Sequence, residues 1–323
     1  MLVGLLLVAG CGGAAPGTSP PVVATTPAPV PAAPGGAATP AAPRPPHVLV
    51  IVLENREYNR VIDRATDPGG GGDGSDWPRL NALARGGALA VDAYGTTHPS
   101  EPNYLELLTG GTQGVHDDAL HVVDAPSLPA QLDAAGVGWR AYMGGMPVAC
   151  DPDTTSGRYA VKHNPFLLLR GVRDSPRCPE HVVPGSRLGA DLTSESAPPF
   201  LWYSPDLCAD GHDHCIGSDL ADAQTAATVQ AVRATAWYRA GGVIVVTWDE
   251  GTTDARCCGG RAAGGHVPVI VLSDSLRPGT RLQSTLDQAG ILRGLEELYG
   301  VPPLGEAADP TAGNLLPLLR PGS

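Results

Sequence analysis

Two apolar stretches of the chain each end in a pair of polar side chains that could bind a cation. Residues 47–55 read HVLVIVLEN, and residues 242–250 read GVIVVTWDE. If the two strands are neighbours, their polar ends converge at one edge of a sheet, where packed carboxylates need a positive partner. Carboxylate and carboxamide oxygens suit a hard divalent cation, so the pattern predicts a metal site formed by Glu54, Asn55, Asp249 and Glu250. The alternative is two separate solvated loops, the first of them a helix start capped by Asn55.

A serine lies near the start of a predicted short helix. Residues 96–103 read TTHPSEPN, and Pro102 suits the first turn of a helix that extends to Leu108. Ser100 is a favoured type of N-cap residue, which would explain it without any chemistry. A hydroxyl at a helix N-terminus also lies where phosphate binds well, and a nearby metal ion would make it a nucleophile.

A third segment concentrates acidic and histidine side chains. Residues 204–215 read SPDLCADGHDHC and follow a short strand candidate. This density of Asp and His is typical of a metal site, although a solvated loop can have the same composition. The residues concerned are Asp206, Asp210, His212, Asp213 and His214.

Other segments give weaker signals. Lys162, His163 and Asn164 form a small cationic group that could meet a phosphate or simply form a turn. His266 precedes a third buried strand, where a lone histidine is more often structural than catalytic. Aspartates in the glycine-rich loop 68–76 could bind calcium, but they do not fit an EF-hand loop.

Strands and helices alternate along the part of the chain that carries these motifs. Helical patterns cover residues 77–85, 102–108, 127–135, 220–238 and 285–298. Strand candidates are residues 47–53, 88–94, 139–143, 200–203, 242–248 and 267–272. Runs of Val and Ile without alternation are typical of strands buried on both faces. We therefore predict a single α/β domain over residues 47–323, with a central, largely parallel sheet and helices on both faces.

The charge of the chain argues against one class of partner. There are 33 acidic and 21 basic residues, a net charge of −12, and Lys162 is the only lysine. Nucleic-acid-binding proteins usually carry a broad basic surface, which this sequence does not encode. An anionic substrate would have to be neutralised locally, by metal ions or helix N-termini.

The N-terminal segment resembles an export signal. Residues 2–9 are apolar but too short to span a bilayer, which needs about 20 residues. Residues 8–11, VAGC, resemble a lipobox ending in the lipidated Cys11, although no Lys or Arg precedes the apolar run. Residues 12–46, rich in Ala, Pro and Gly, predict a disordered tether. We expect a signal peptide over residues 1–11 and either a cell-envelope lipoprotein or a secreted protein, with a cytosolic protein as the alternative.

Six cysteines remain besides the lipobox cysteine. An even number in an exported chain favours disulfides, and no pair has the C-x-x-C spacing of a metal site. Local spacing favours the pairs Cys208–Cys215 and Cys150–Cys178. Cys257 and Cys258 would then form a vicinal pair or each pair elsewhere.

The motifs taken together resemble the bacterial phosphoesterase family that holds secreted acid phosphatases and phospholipases C, within the alkaline-phosphatase superfamily. The matching stretches, in order, are VLENREYN, HPSEPNYLELLTGGTQGVHDD, KHNPF, SPDLCADGHDHC, TWDEG, HVP and LRGLEELYGVPPLG. Each is weak alone, but their order and spacing are specific, and they cover most of residues 47–319. The resemblance implies an alkaline-phosphatase-like α/β fold with one or two divalent metal cations.

The resemblance also implies a role for each matching residue. Metal ligands would be Glu54, Asn55, Ser100, Asp210, His214, Asp249 and Glu250. Ser100 would form a phosphoserine, and His212 or His266 would protonate the leaving group. The substrate phosphate would be bound by Asn103, Lys162 and His163.

The sequence thus predicts an exported, metal-dependent phosphoesterase, in the first place an acid phosphatase acting on phosphate monoesters. Its partner would be a small phosphorylated substrate or a phospholipid head group. We expect membrane contact only through the lipid anchor, no binding of nucleic acid, and a monomer. The alternatives are a phospholipase C-type phosphodiesterase and a non-catalytic metal-binding domain. An ordinary α/β serine hydrolase is disfavoured because the chain has no G-x-S-x-G motif.

Overall fold

The computed structural model describes residues 13, 17, 44–152, 155–194, 197–213, 215 and 220–320. The chain divides into two units, Met1–Pro43 and Arg44–Ser323, and the elements below belong to the second. Within the described ranges, no helix is long and apolar enough to cross a bilayer. The predicted lipobox and most of the predicted tether lie outside the described residues.

The strands are short, and most of them join one sheet. In chain order they are β1 Val48–Leu53, β2 Ala88–Ala90, β3 Ala93–Tyr94, β4 Trp139–Met143, β5 Thr155–Ser156, β6 Tyr159–Ala160, β7 Val182–Pro184, β8 Phe200–Ser204, β9 Val243–Trp248, β10 Val269–Leu272, β11 Thr280–Leu282 and β12 Leu286–Asp287.

The helices lie between the strands. They are α1 Tyr58–Val61, α2 Pro78–Gly86, α3 Ser100–Thr109, α4 Leu128–Ala134, α5 Arg170–Arg173, α6 Cys178–His181, α7 Leu188–Thr193, α8 Leu220–Arg233, α9 Ala236–Arg239, α10 Gln288–Tyr299 and α11 Leu316–Leu319. Short 3-10 segments cover Val161–His163, Gly185–Arg187, Cys258–Gly260, Gly305–Ala308 and Pro310–Ala312.

The central sheet has eight strands in the order β11-β2-β10-β9-β1-β8-β4-β7. From β9 through β1, β8 and β4 to β7, every pairing is parallel. Strand β10 is antiparallel to both neighbours. Its pairing with β9 follows a connection that contains no α-helix and so no parallel crossover. The predicted α/β class with a largely parallel sheet is confirmed.

The core surrounds strands β1 and β9, in which all six residues of each strand are buried. Successive side chains of a strand point to opposite faces, so this burial shows that both faces of the sheet are covered. This agrees with the unbroken apolar runs from which the strands were predicted.

Two predicted elements are interrupted by local signals. The predicted strand over 88–94 is two strands, since β2 pairs within the central sheet whereas β3 pairs with β12. The predicted helix over 220–238 is also two helices, because the Thr235 side chain accepts a hydrogen bond from the backbone of Tyr238 and caps α9.

Three disulfides connect the described cysteines. Cys150–Cys178 and Cys208–Cys215 confirm the pairs that spacing favoured, and Cys257–Cys258 is the vicinal pair.

Candidate active site

The two strands that end in polar pairs are neighbours. β1 and β9 run parallel, with Leu53 opposite Trp248, so Glu54 and Asp249 follow at the same edge of the sheet. The segment after β8 reaches the same place, since the backbone N–H of Glu54 donates to the carbonyl of Asp210 at 2.9 Å. The structure therefore brings the first and third acidic motifs together. The buried carboxylates of this cluster, called the acid cluster below, are Glu54, Asp210, Asp249 and Glu250.

Asn55 turns the chain sharply at the end of β1. Its φ of +50° lies in the left-handed region, which Asn tolerates better than most residues. This conformation accompanies a bond from its backbone N–H to Oδ1 of Asp249, at 3.0 Å. Its side-chain amide lies 3.4 Å from Oε2 of Glu54. Asn55 thus connects the two acidic pairs through its backbone.

Ser100 is the first residue of α3, and Pro99 occupies the N-cap. The serine side chain does not cap the helix. Its hydroxyl donates instead to Oε2 of Glu54 at 2.9 Å and lies 3.4 Å from Oε1 of Glu250. The capping explanation of Ser100 is therefore wrong, and the hydroxyl is held against the acid cluster.

Tyr104 supports the same carboxylate one helical turn later. Its hydroxyl donates to Oε1 of Glu54 at 2.6 Å, and its ring stacks on His163 with 5.5 Å between centroids. Sequence reasoning gave this residue no role. The signal was present, because residues four apart on a helix share a face, and Tyr104 is four residues after Ser100.

His163 lies inside the acid cluster. Its Nε2 is 3.3 Å from Oε1 of Glu54, and its Nδ1 is 3.3 Å from Oδ2 of Asp210. Burial, followed by the nearby charge of Lys162, lowers the pKa of His163 to about 3, so the imidazole is neutral. Neither approach has hydrogen-bond geometry, and Nε2 of His163 and Oδ2 of Asp210 are both buried without a partner.

The pKa of each carboxylate in the cluster is raised. Burial is the largest cause at all four, and Coulombic repulsion from neighbouring carboxylates adds to it at Glu54 and Glu250. Oδ2 of Asp249 is also buried without a hydrogen-bond partner. Carboxylates crowded in this way favour either protons or a bound cation.

The cluster fits a divalent metal ion. One ligand atom from each of Glu54, His163 and Asp210 lies within 4.8 Å of the others. Two carboxylate oxygens and a neutral imidazole nitrogen are a usual donor set for such an ion. A second group, Cys257, Cys258 and Asp287, does not fit, since its two sulfur atoms form a disulfide.

The loop before Ser100 is held by two residues. Nδ1 of His98 lies 2.5 Å from Oε2 of Glu250, a contact that the sequence did not indicate. The amide of Asn103 accepts a bond from the Thr97 N–H and donates to the carbonyls of Thr97 and Pro99, at 2.9 to 3.1 Å. These bonds occupy the amide that we predicted for phosphate, and they place Asn103 as a brace of the loop.

Lys162 and His212, two further predicted site residues, line a cavity of about 280 Å³ beside the cluster. The backbone N–H of His212 donates to Oδ1 of Asp210 at 2.8 Å. The His212 ring lies 5.7 Å from the ring of His163 and pairs with Asp213 at 2.8 Å. His214 lies outside the described residues.

His266 is not brought to the acid cluster. Its ring stacks on Tyr58 at 4.2 Å and on Tyr94 at 5.2 Å, and Nε2 lies 3.0 Å from the carbonyl oxygen of Val91. Burial lowers the pKa of this imidazole. Asp206 likewise accepts bonds from the backbone of Cys208 and Ala209, within its own turn. Both placements favour structural roles.

Gln288, at the start of α10, was not foreseen at all. Its side-chain amide donates to the carbonyl of Asp249 and accepts from the N–H of Thr96 at 3.2 Å. It therefore fastens the serine loop to the end of β9. No local pattern could have indicated this, because its partners are 39 and 192 residues away in the chain.

Sequence relatives are phosphatases. A phosphatidylinositol-3-phosphatase of Mycobacterium tuberculosis is 28% identical over 277 residues, which cover 85% of this chain and 83% of that protein. A phosphate-repressible acid phosphatase of Penicillium chrysogenum is 28% identical over 181 residues, 54% of this chain and 43% of that protein.

Structural similarity agrees with the predicted fold. A protein of the alkaline phosphatase superfamily from Vibrio parahaemolyticus superposes with a TM-score of 0.55 at 11% identity, covering 85% of this chain and 70% of that one. The model of the Phosphoesterase family matches residues 70–302, most of the predicted catalytic domain. The chain therefore belongs to the phosphoesterase family, which confirms the resemblance seen in the sequence and its enzyme class, hydrolysis of phosphoric ester bonds.

Proposed function

We propose that this protein is an exported, metal-dependent phosphatase that hydrolyses phosphate monoesters through a phosphoserine on Ser100. One observation carries the proposal. The buried hydroxyl of Ser100 donates to Glu54 at 2.9 Å, at the edge of a carboxylate cluster that contains unpartnered oxygen atoms. A structural serine would have no need of such surroundings.

Glu54, His163 and Asp210 would hold the metal ion, and the free Oδ2 of Asp249 makes that residue a further candidate. A bound divalent cation would supply positive charge that lowers the pKa of the serine hydroxyl and stabilises the transferred phosphoryl group. Asn55 would act through its backbone bond to Asp249, and Glu250 through Ser100 and His98.

The side chains perform two displacements at phosphorus. In the first, Oγ of Ser100 bonds to phosphorus while the bond to the leaving oxygen breaks. The serine proton passes to Oε2 of Glu54, and His212 protonates the leaving oxygen. In the second, water attacks phosphorus and gives a proton to His212. The bond to Oγ breaks, the serine regains its proton from Glu54, and inorganic phosphate leaves. His212 is proposed rather than His266, since it lines the cavity beside the cluster.

A phospholipid head group is the second candidate substrate. It is favoured by the mycobacterial relative, which carries the name of a phosphoinositide phosphatase and matches along most of both chains. Export is favoured by the three disulfides and by the short apolar segment at residues 2–9. Anchoring at Cys11 and a tether over residues 12–46 belong to the same proposal.

The test is release of p-nitrophenol from p-nitrophenyl phosphate by the full chain, from acid to neutral pH, with and without EDTA. We expect Ser100→Ala to lower kcat by roughly 10³-fold or more. Ser275→Ala is the matched control, because Ser275 is exposed and its hydroxyl lies 2.9 Å from the hydroxyl of Ser273. EDTA should abolish activity, and added divalent cations should restore it.

Two results would count against the proposal. Full activity of Ser100→Ala would remove the phosphoserine, and full activity in EDTA would remove the metal. If a folded, metal-loaded protein releases nothing, a phosphoinositide monophosphate and then phosphodiesters are the next substrates, and failure of all three would favour a domain that only binds metal.

A further inference from the structure

The cavity beside the acid cluster is lined by a carboxylate, Asp118, for which the sequence indicated no role. Asp118 and Lys162 line it together with the apolar residues Leu120 and Leu207. Lys162 is the only lysine of the chain. His212, which lines the same cavity, has its ring 5.7 Å from the ring of His163, so the cavity adjoins the acid cluster.

The two carboxylate oxygens of Asp118 contact two different segments, the one that carries Lys162 and the start of α3. Oδ2 accepts a bond from Nζ of Lys162 at 2.6 Å. Oδ1 accepts a bond from the backbone N–H of Glu101 at 3.0 Å, and Glu101 directly follows Ser100 in the chain. A single carboxylate therefore fixes the ammonium group relative to the turn that carries the serine.

The pair is half-buried, which matters for its strength. The side chain of Asp118 is 27% exposed and that of Lys162 is 24% exposed, so solvent screens the contact less than it would at the surface. A lysine side chain has several rotatable bonds, and without an acceptor it would sample many positions. The contact with Asp118 restricts the Lys162 side chain to one position beside the cavity.

We propose that Asp118 is a positioning residue of the phosphatase reaction, which acts by holding Lys162 where its ammonium group meets the phosphate of the substrate. The inference rests on the proposed function. It adds to that function a residue that does not touch the reacting atoms and is nevertheless needed for binding of the phosphate group.

The neighbouring Asp117 provides a matched control. It is also a carboxylate of the same loop, but its Oδ1 accepts a bond from the N–H of Ala119 and lies 3.4 Å from Nε2 of His121. Its side chain is 66% exposed and does not line the cavity. Asp117→Ala should leave both KM and kcat within about twofold of the wild type.

A double-mutant cycle in the full chain separates positioning from simple support of the loop. The proteins are the wild type, Asp118→Ala, Lys162→Ala and the double variant, with p-nitrophenyl phosphate as substrate and inorganic phosphate as competitive inhibitor. We expect each single variant to raise KM and the inhibition constant of phosphate roughly tenfold, with a smaller change in kcat. If Asp118 acts through Lys162, the double variant is no worse than either single variant.

Two outcomes would overturn the inference. The first is an effect of Asp118→Ala below about twofold while Lys162→Ala is impaired, and the second is multiplication of the two single effects in the double variant. If Asp118→Ala does not fold, Asp118→Asn replaces it, since the amide keeps the shape and an acceptor for Glu101.

Failure of the proposed function would look different. In that case the wild type itself would release no p-nitrophenol. The thermal shift that inorganic phosphate causes in the four proteins would then still decide the role of Asp118, because it reports binding without turnover.

Discussion

Two acidic clusters of the molecule are neutralised in different ways. Around Arg261, the guanidinium lies 2.5 Å from Asp287, 2.7 Å from Glu306 and 3.3 Å from Asp309. In the acid cluster, the central basic group is His163, which burial keeps neutral. One cluster therefore contains its own cation, whereas the other presents oxygen and nitrogen lone pairs to one another.

The difference is consistent with a cation-binding role for the acid cluster. A protein can balance a buried carboxylate with a fixed cation, as Arg261 does for Asp287, and removal of that cation then leaves a buried charge without compensation. It can also leave the balance to an ion from solution and gain a binding site, at the cost of repulsion when the ion is absent. Glu106 shows a third solution, since it is buried with both oxygens unpartnered and its pKa is raised to about 8, which keeps it protonated.

The largest effect should follow removal of the fixed cation. Arg261→Met leaves the buried Asp287 without its partner, and we expect the free energy of unfolding to fall by about 3 kcal/mol. Urea unfolding at neutral pH measures it. The matched control is Arg170→Ala, which breaks an exposed pair with Asp174 and should cost less than about 0.5 kcal/mol. Equal effects of the two substitutions would show that the Arg261 cluster is not held by its charge.

A smaller effect, with a distinct pH dependence, is expected at Glu106. Burial and then the charges of Glu306 and Asp287 raise its pKa from 4.5 to about 8. A carboxyl whose pKa is raised in the folded state lowers the free energy of unfolding only above its unfolded pKa. The loss grows as pH rises toward the folded pKa and is constant above it. Glu106→Gln should therefore gain stability over the wild type as pH rises from about 5 to 6, by about 2 kcal/mol at pH 6.

The control for Glu106 is a carboxylate with the opposite shift. Hydrogen bonds from Arg293 and Asn314 lower the pKa of Glu297, so its stabilising contribution is already complete at pH 5. Glu297→Gln should differ from the wild type by a constant amount across the same range. Chemical denaturation at each pH measures both differences in the free energy of unfolding. A difference for Glu106→Gln that does not change with pH would mean that Glu106 is hydrated in solution.

The sequence was sufficient to predict those residues of the acid cluster that directly follow a predicted strand. Glu54 and Asp249 each follow a run of buried apolar residues, and parallel neighbours must deliver such residues to one edge. Local spacing along the chain predicted two of the disulfides, Cys150–Cys178 and Cys208–Cys215. The contact partners of these residues were harder to foresee, because they depend on side-chain direction rather than on position along an element.

His163 and His266 illustrate that limit. Both are histidines next to apolar segments, and the resemblance gave both a place in the site. The fold turns His163 inward between Glu54 and Asp210, whereas two tyrosines enclose His266 elsewhere. Tyr104 could have been predicted from its helical spacing to Ser100, but Gln288 reaches Thr96 and Asp249 only through tertiary packing.

The smallest effect, and the most direct test of the comparison, comes from removing one carboxylate of the acid cluster. Asp249 has an unpartnered buried oxygen, and burial raises its pKa. In EDTA at neutral pH, Asp249→Asn should therefore stabilise the protein by about 1 kcal/mol, because it relieves repulsion that no cation offsets. Asp174→Asn, at an exposed position, should change stability by less than about 0.5 kcal/mol.

Adding a divalent cation should reverse the order of the two proteins. Binding to the folded state raises the stability of the wild type in proportion to the logarithm of cation concentration, and the variant should gain less because it has lost a ligand or a neighbouring charge. Thermal unfolding of EDTA-treated protein, before and after addition of Mg²⁺, Ca²⁺ or Zn²⁺, measures the stability of both proteins without a cation and the gain that each cation gives. The opposite outcome is that Asp249→Asn is less stable than the wild type in EDTA and gains as much stability from each cation as the wild type does. The Asp249 carboxylate would then stabilise the turn at Asn55, and the acid cluster would need no added cation, like the cluster around Arg261.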